Sequence, residues 1–143
     1  MLLFHDSKIK FLDHTGDICM QVSSPTLDEL FATCAEGMIQ TIAPEAKVVY
    51  EVQHEIHLTG ADLEQLLVDW LSEINYRITV DGEIYNRFEI KRLTETELSA
   101  LIFGERIDPA RHPFELEIKA VTYHDIYIKQ SPGGWQARVI FDI

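Results

Sequence analysis

The two groups of residues with the clearest chemical potential lie at opposite ends of this sequence. The first is an acidic cluster between two short apolar runs, Asp13-His14-Thr15-Gly16-Asp17. The second is Asp142-Ile143, where an apolar run and the sequence both stop. Carboxylates held close to a main-chain or terminal oxygen repel one another unless a cation lies between them. Because hard oxygen ligands favour Ca²⁺ or Mg²⁺, the two groups could form a small acidic metal site if the fold brings them together.

Each of these residues also has a simpler interpretation. Asp13 could be a turn-forming residue and Asp142 an exposed charge, since most aspartates face water. Asp17 could join the site or begin the next strand. His14 as a ligand would favour zinc or another transition metal. A single histidine beside carboxylates more often orients them through a hydrogen bond, so we place His14 beside the ligand set.

Lys119 is a further candidate for contact with a partner. It follows two glutamates in a run that alternates over residues 114–120. It is either part of a solvated strand face or a contact for a phosphate or an acidic group.

The longest polar interruption between strands, residues 104–113, is a loop of the kind that displays binding residues. It contributes Glu105, Asp108 and His112 as secondary candidates. As parts of a plain connecting loop, these three residues would need no special role.

Two segments have the three- and four-residue spacing of an amphipathic helix. The first follows Ser24 as N-cap and Pro25 at the first helical position, and it must end before Pro44. The second is predicted from Ala61 to about Arg77. The apolar residues with this spacing are Leu27, Leu30, Phe31, Cys34 and Met38 in the first segment and Leu63, Leu66, Leu67, Trp70 and Ile74 in the second.

Period-two alternation of apolar and polar residues predicts strands over most of the remaining chain. The predicted ranges are 48–58, 84–93, 97–103, 114–120, 125–130 and 135–143. Turn sequences at 81–82 and 131–134 separate them, so the last two strands should form a hairpin. In the last strand, Asp142 points away from the face that carries Phe141. The pattern predicts one α+β domain over residues 1–143, of mainly antiparallel sheet with two helices.

Composition limits the classes of function. The hydrophobic fraction is 46%, and we find neither the apolar core of a signal peptide nor a run of about 18 apolar residues that could span a membrane. We therefore expect a cytoplasmic protein with no membrane partner, in which Cys19 and Cys34 are reduced, packed thiols. The formal charge of −12 argues against direct tight binding of nucleic acid, and it should attract metal ions or a basic protein surface.

Three parts of the sequence, in the same order, resemble the archease family. Residues 13–17 resemble the family's DHTAD signature. Residues 118–124, IKAVTYH, resemble its strand and turn of the same sequence, and Asp142-Ile143 resembles its terminal Asp-Ile. The resemblance covers the whole chain, and three ordered matches are far more specific than any one of them.

The resemblance implies a fold and a metal site. The family's fold is built on the strand-helix-strand-strand module called SHS2, with a second, related unit inserted. The implied ligands are the side chains of Asp13 and Asp142 and the main-chain oxygen of Ile143. The implied ion is Ca²⁺, with Mg²⁺ or Mn²⁺ as alternatives.

The resemblance also places other residues near the partner. Lys119 and His124 would lie on a working surface, and the GE, D and RH elements of the loop over 104–113 resemble the family's pattern. Some family members have an acidic residue before the first helix, where this chain has Ser24-Pro25-Thr26. No role for a carboxylate can be transferred to that position.

Archeases are accessory proteins of the RNA ligase that joins tRNA halves after intron removal. The resemblance therefore implies a non-enzymatic protein that promotes guanylylation of an RNA ligase of the tRNA-splicing type and supports its multiple turnover. Two alternatives remain open. One is a stand-alone metal-dependent phosphohydrolase with His14 or His124 as general acid or base. The other is a specificity chaperone for an RNA-modifying enzyme.

Overall fold

The structure, a computed structural model, describes residues 7–14 and 16–143, and of Asp13 and His14 it describes the main chain only. Within these residues the chain forms seven strands, two α-helices and one π-helical turn. In chain order they are β1 (Lys8–His14), β2 (Asp17–Ser24), α1 (Leu27–Ile42), β3 (Val52–Thr59), α2 (Leu63–Tyr76), the π-helical turn (Arg77–Asp81), β4 (Glu83–Leu93), β5 (Glu97–Arg106), β6 (Ala120–Ser131) and β7 (Gly134–Asp142).

The strands form two antiparallel sheets. The first sheet has the order β1-β2-β7-β6, and the second sheet has the order β3-β5-β4. The hairpin predicted for the last two strands is present, because β6 and β7 pair on either side of the turn that ends at Gly134. The prediction of an α+β fold of mainly antiparallel sheet with two helices is confirmed.

The two helices share one hydrophobic core with both sheets. α1 contacts β2 and β7 of the first sheet and β4 of the second, and α2 contacts β6 and β3. Burial of α1 therefore extends beyond the predicted stripe to residues such as Ala35 and Ile39. The two helices are joined by a buried hydrogen bond, in which the indole N–H of Trp70 donates to the carbonyl of Phe31 at 3.0 Å. Cys19 and Cys34 are buried free thiols, as predicted.

The predicted start of α1 is wrong by two residues. Ser24 belongs to β2, where it lies opposite Trp135 of β7, so the strand ladder holds it in extended conformation. Thr26 is the N-cap instead, and its hydroxyl accepts the N–H of Glu29 at 3.2 Å. A threonine hydroxyl caps a helix nearly as well as a serine hydroxyl, so the sequence pattern alone could not distinguish the two positions.

α2 is shorter than predicted at its start and continues differently at its end. Asp62 is the N-cap, and its side chain accepts the N–H of Gln65 at 2.8 Å. After Tyr76 the chain widens into the π-helical turn, which ends at Gly82 with φ of 72°. This left-handed residue confirms the predicted turn at Asp81-Gly82, since glycine adopts that conformation without steric cost.

Two predicted strands differ from the observed ones. Residues 48–51 lie outside β3, although the N–H of Glu51 donates to the carbonyl of Gly104 at 2.8 Å. Residues 114–119 form no ladder, and their hydrogen bonds go to other elements: the N–H of Glu115 donates to the carbonyl of Ile42 at 2.8 Å. The predicted strand at 125–130 is part of the longer β6. Among the described residues, no helix is long and apolar enough to span a membrane.

Candidate functional site

The fold brings the start of β2 and the end of β7 together at one end of the first sheet. β1 and β2 form a hairpin whose turn includes Gly16, with φ of 77°, and β7 pairs with β2 along its whole length. Asp17 lies directly opposite Asp142 in that ladder. The N–H of Ile143 donates to the carbonyl of Gly16 at 3.4 Å. We call Gly16, Asp17, Asp142 and Ile143, with the main chain of Asp13, His14 and Lys119, the carboxylate end.

A third segment completes the carboxylate end. The N–H of Lys119 donates to the carbonyl of Asp142 at 2.7 Å, and the next residue, Ala120, lies opposite Asp142 in the ladder between β6 and β7. Segments far apart in sequence thus meet through main-chain hydrogen bonds. Lys119 itself is exposed, and it lies beyond the end of β6 rather than on a strand.

The ladder also fixes the relation between the acidic residues. Residues directly opposite in an antiparallel pair have Cα atoms about 4.5–5.5 Å apart and share a face of the sheet. Asp17 and Asp142 are such a pair, with Asp142 exposed and Asp17 half-buried. At the level of the main chain, Asp13 lies opposite Ile18 and His14 lies opposite Asp17. The side chains of Asp13 and His14, and the whole of Thr15, lie outside the described residues.

The donors at the carboxylate end fit a hard divalent cation. Asp17 and Asp142 place negative charge on one face of the sheet, which attracts a cation to the oxygen ligands at this end. Carboxylate and main-chain oxygens are the ligands that Ca²⁺, Mg²⁺ and Mn²⁺ prefer. Among the side chains that the structure describes, no group of three His, Cys, Asp or Glu residues is close enough to hold an ion. A third side-chain ligand would therefore have to come from Asp13 or His14.

His124 lies apart from this row of residues. It falls where the ladder between β6 and β7 shifts register, between Thr122 and Tyr127. Its side chain is exposed, and its Nε2 atom lies 3.3 Å from a carboxylate oxygen of Asp125. Asp125 has φ of 51°, a left-handed conformation that is uncommon for a residue with a side chain.

The predicted loop over 104–113 begins later than expected, because β5 continues to Arg106 and Glu105 lies opposite Ile84 of β4. Residues 105–112 form a compact ionic cluster at the end of this strand. Glu105 is only 2% exposed and His112 only 1%. Glu105 accepts hydrogen bonds from both terminal nitrogens of Arg111, one of them at 3.0 Å, and from the N–H of Val49 at 2.8 Å. The guanidinium of Arg111 is the main reason that the pKa of Glu105 is lowered to about 2, against the opposing effect of burial.

The hydrogen bonds of His112 define its tautomer. Its Nδ1 atom accepts the N–H of Asp108 at 2.8 Å, so the ring proton resides on Nε2 and is donated to Glu105 at 3.0 Å. The structure therefore places Glu105 and His112 inside the protein, whereas the sequence predicts a displayed loop. Asp108 is exposed and closes the loop by accepting the N–H of Ala110 at 3.0 Å.

Sequence reasoning missed a second polar surface. Four of the twelve lysines and arginines lie on the face of the first sheet that points away from the helices. These residues are Lys8, Lys10, Lys129 and Arg138. The sequence contains one signal of this surface: Lys8 and Lys10 lie two residues apart in β1 and therefore on the same face. The net charge of −12 drew attention away from it.

The fold and the carboxylate end define a small α+β protein of two antiparallel sheets, with two aspartates paired at one end of the central strands β2 and β7. A model of the Archease protein family matches residues 10–143. The chain belongs to the archease family.

Relatives and solved structures agree with this assignment. The chain is 41% identical to Protein archease of Methanosarcina mazei over 140 residues, covering 95% of this chain and 96% of the relative. It is 36% identical to Protein archease of Methanopyrus kandleri, covering 92% and 96%. The solution structure of protein 1598 from Methanobacterium thermoautotrophicum matches with a TM-score of 0.77 at 28% identity, covering 94% of this chain and 98% of that one. A crystal structure from Thermotoga maritima, described as an archease and possible chaperone, matches with a TM-score of 0.64 at 25% identity, covering 94% and 96%.

Proposed function

We propose that this protein is a non-enzymatic accessory protein that activates an RNA ligase of the tRNA-splicing type. It promotes guanylylation of the ligase and thereby supports multiple turnover, with a divalent cation held at the carboxylate end. The observation that carries the proposal is the meeting of Gly16 and Asp17 with Lys119 and residues 142–143 at one end of the first sheet. Those are the segments whose sequences resemble the signatures of the family.

The position of the carboxylate end suits a role in contact with a partner. Asp142 and Lys119 are both exposed, so the carboxylate end and its neighbouring Lys119 offer a carboxylate and an ammonium group to an approaching surface. A metal ion bound by Asp13, Asp142 and the main-chain oxygen of Ile143 would supply positive charge where a nucleotide phosphate could approach. Because an activator must bind the competent state of the ligase more tightly than the other states, the ion and Lys119 would favour the nucleotide-loaded conformation.

Guanylylation of the purified cognate ligase tests the proposal. The ligase is incubated with GTP and divalent ion, with and without this protein, and covalent nucleotide is followed over time. Asp142→Asn removes the charge while keeping the side-chain volume, so stimulation should fall at least about tenfold, a loss of roughly 1.4 kcal/mol. The matched control is Asp28→Asn, which removes an exposed charge near the start of α1 and should stimulate normally.

Two outcomes would overturn the proposal. One is that the Asp142→Asn variant stimulates guanylylation of the ligase as fully as the Asp28→Asn control does. The other is turnover of phosphate esters by this protein alone with divalent ion, which would indicate a metal-dependent hydrolase.

A chaperone role is the second candidate, and the description of the Thermotoga relative as a possible chaperone favours it. In that case the protein would change the solubility or product specificity of an RNA-modifying enzyme. The effect would survive both Asp142→Asn and removal of divalent ions, which separates this candidate from ligase activation.

A further inference from the structure

The outer face of the first sheet, which points away from the helices, is arranged in rows by the register of its strands. The row nearest the β6–β7 turn consists of Lys8, Ser23, Gln136 and Lys129. The next row consists of Lys10, Gln21, Arg138 and Tyr127. Residues opposite one another in a ladder share a face, so each row runs straight across all four strands. We call these two rows the basic rows.

Among the described residues, the cations of the basic rows have no anionic partners. Lys8, Lys10, Lys129 and Arg138 form no salt bridge within the described part of the chain. Most other arginines do form one, as in the pairs of Arg77, Arg87, Arg92 and Arg111 with glutamates. In a protein with twice as many acidic as basic residues, four cations on one face without an ion pair to any described residue are a marked segregation of charge.

A groove lies beside these cations, with Lys8 and Lys10 in its wall. Two adjoining cavities of about 370 and 300 Å³ share Lys8, Ser23 and Gln136 in their walls. The first also touches Tyr127 and the second extends to the β6–β7 turn. Of the described residues, no aspartate or glutamate lines either cavity.

Tyr127, in one wall of the groove, makes cation–π contacts with Lys129 and Arg138. The Nζ atom of Lys129 lies 4.6 Å from the centre of its ring, and the guanidinium carbon of Arg138 lies 4.9 Å from it. Arg138 also donates to the carbonyl of Asp125 at 2.9 Å, whereas the Asp125 carboxylate faces His124. These contacts orient both cations before any ligand arrives, which lowers the entropic cost of binding.

The chemistry of the groove matches a single-stranded polynucleotide. Lys8 and Lys10 line it on the β1 side, and Lys129 and Arg138 lie against Tyr127 at its other wall, so cations near both sides can contact successive phosphates. Its floor carries the amides of Gln21 and Gln136 and the hydroxyl of Ser23, which offer both donors and acceptors to bases and sugars. An acidic peptide also carries main-chain donors and acceptors, so the polar floor alone does not select between the two, and the choice of nucleic acid rests on the proposed partner.

We propose that the basic rows form a binding groove for single-stranded RNA. The register, the cavities and the cation contacts of the first sheet define the groove, whereas the choice of RNA rests on the proposed role beside an RNA ligase. The sequence predicts no tight binding of nucleic acid because of the net charge of −12, and overall repulsion does limit the affinity of the isolated protein. The groove supplies a weak, salt-sensitive site that gains affinity when the ligase holds the same RNA.

The groove and the carboxylate end lie on the same face of the first sheet. Gln21 of the basic rows and Asp17 of the carboxylate end are four residues apart on β2, a distance of about 13 Å along the strand. An apolar row that includes Leu12, Cys19 and Ile140 separates them. RNA in the groove would thus have one end directed toward the carboxylate end, where the proposed ligase contact lies.

Direct binding to a short fluorescein-labelled oligouridylate, followed by anisotropy without any ligase, tests the groove. We expect measurable binding at low salt, with a slope of log affinity against log salt of about −3 for four phosphate contacts on a single strand. The triple variant Lys8→Gln, Lys10→Gln, Lys129→Gln should lose affinity at least about tenfold, and its slope should fall to about −1.

The matched control removes three exposed cations elsewhere, by Lys47→Gln, Lys91→Gln and Arg106→Gln, and has the same net charge. It should bind within about twofold of the natural protein, since local contacts and not total charge determine the affinity. Asp142→Asn should also bind RNA normally, so failure of ligase activation and failure of the groove can be told apart. Side-chain amide resonances of Gln21 and Gln136 should shift on addition of RNA.

Three results would overturn the proposal. They are no binding at the lowest salt, equal loss of affinity in the triple variant and its control, and polyglutamate binding as tightly as the oligouridylate. The last would show that the groove accepts acidic peptide segments instead.

Discussion

Glu105 illustrates how a single side chain can organise a loop. Its carboxylate is the shared acceptor for Arg111, His112 and the main chain of Val49, so it ties residues 111–112 and the segment before β3 to the end of β5. A buried carboxylate with this many charged and neutral donors is stabilised in its ionised form. The sequence indicates the loop and its polar residues, but the closure of the loop around a buried anion depends on contacts far apart in the chain.

The pH dependence of stability should report this cluster. Glu105→Gln should lower the melting temperature at pH 7 by several degrees, because it leaves the guanidinium of Arg111 without its anion. The pKa of Glu105 is lowered to about 2 in the folded protein, against about 4.3 for an unperturbed glutamate. Its stabilising effect is therefore fully present above the higher value and is lost as pH falls toward the lower one.

The measurement is thermal unfolding of both proteins between pH 7 and pH 2. The difference between them should be constant at neutral pH and should shrink below about pH 4.3. A difference that stayed constant throughout this range would show that Glu105 acts through its shape and not through its charge.

At the scale of elements, the start of α1 separates two hypotheses that the sequence cannot distinguish. The structure assigns the N-cap to Thr26, so Thr26→Ala should lower the free energy of unfolding by about 1 kcal/mol. Ser24→Ala should leave the helix start unaffected, although Ser24 also contacts the hydroxyl of Ser7 at 2.9 Å.

Urea unfolding followed by circular dichroism measures the change. Thr96→Ala is the matched control, because Thr96 is exposed and its hydroxyl caps no helix. If Thr26→Ala left the free energy of unfolding unchanged, Thr26 would not be the residue that caps the start of α1.

The misassigned strand at 114–119 shows the limit of periodicity. Phe114, Leu116 and Ile118 alternate with polar residues as a half-buried strand would, yet this segment pairs with no neighbouring strand. Its contacts go to the end of α1, to Asn75 of α2, whose side chain donates to the carbonyl of Ile118 at 3.0 Å, and to Asp142. Alternation of apolar and polar residues indicates that one face of an extended segment packs against the protein. A strand ladder also requires a neighbouring strand with unpaired main-chain groups.

At the scale of the whole molecule, the two helices and both sheets share one core, so unfolding should be a single transition. The two tryptophans allow a test, since Trp70 lies between the helices and Trp135 lies in the first sheet. Trp70→Phe and Trp135→Phe each leave one fluorescent reporter.

In each variant the fluorescence midpoint in urea should coincide with the midpoint from circular dichroism, even if the two variants differ in stability. Separate midpoints within one variant would indicate that the sheets unfold independently.

The sequence predicted the fold class, the last hairpin and both helices to within a few residues, because these depend on local periodicity and turn residues. The family resemblance then made residues 13–17 and 142–143 candidates for one site, and the ladder between Asp17 and Asp142 shows how those segments meet. The basic rows could not be predicted in the same way. They arise only when β1, β2, β7 and β6 are set side by side in register, which is a property of the tertiary fold.

The place of β7 has a consequence for biosynthesis. This strand lies between β2 and β6, yet it is the last element of the described chain to leave the ribosome. The β1–β2 hairpin must therefore wait while residues 25–133 are translated, an interval of roughly 5–20 s at typical elongation rates. The second sheet, whose strands are close together in the chain, can assemble during that time. Closure of the first sheet, and with it the joining of Asp17 to Asp142, must therefore follow the translation of β7.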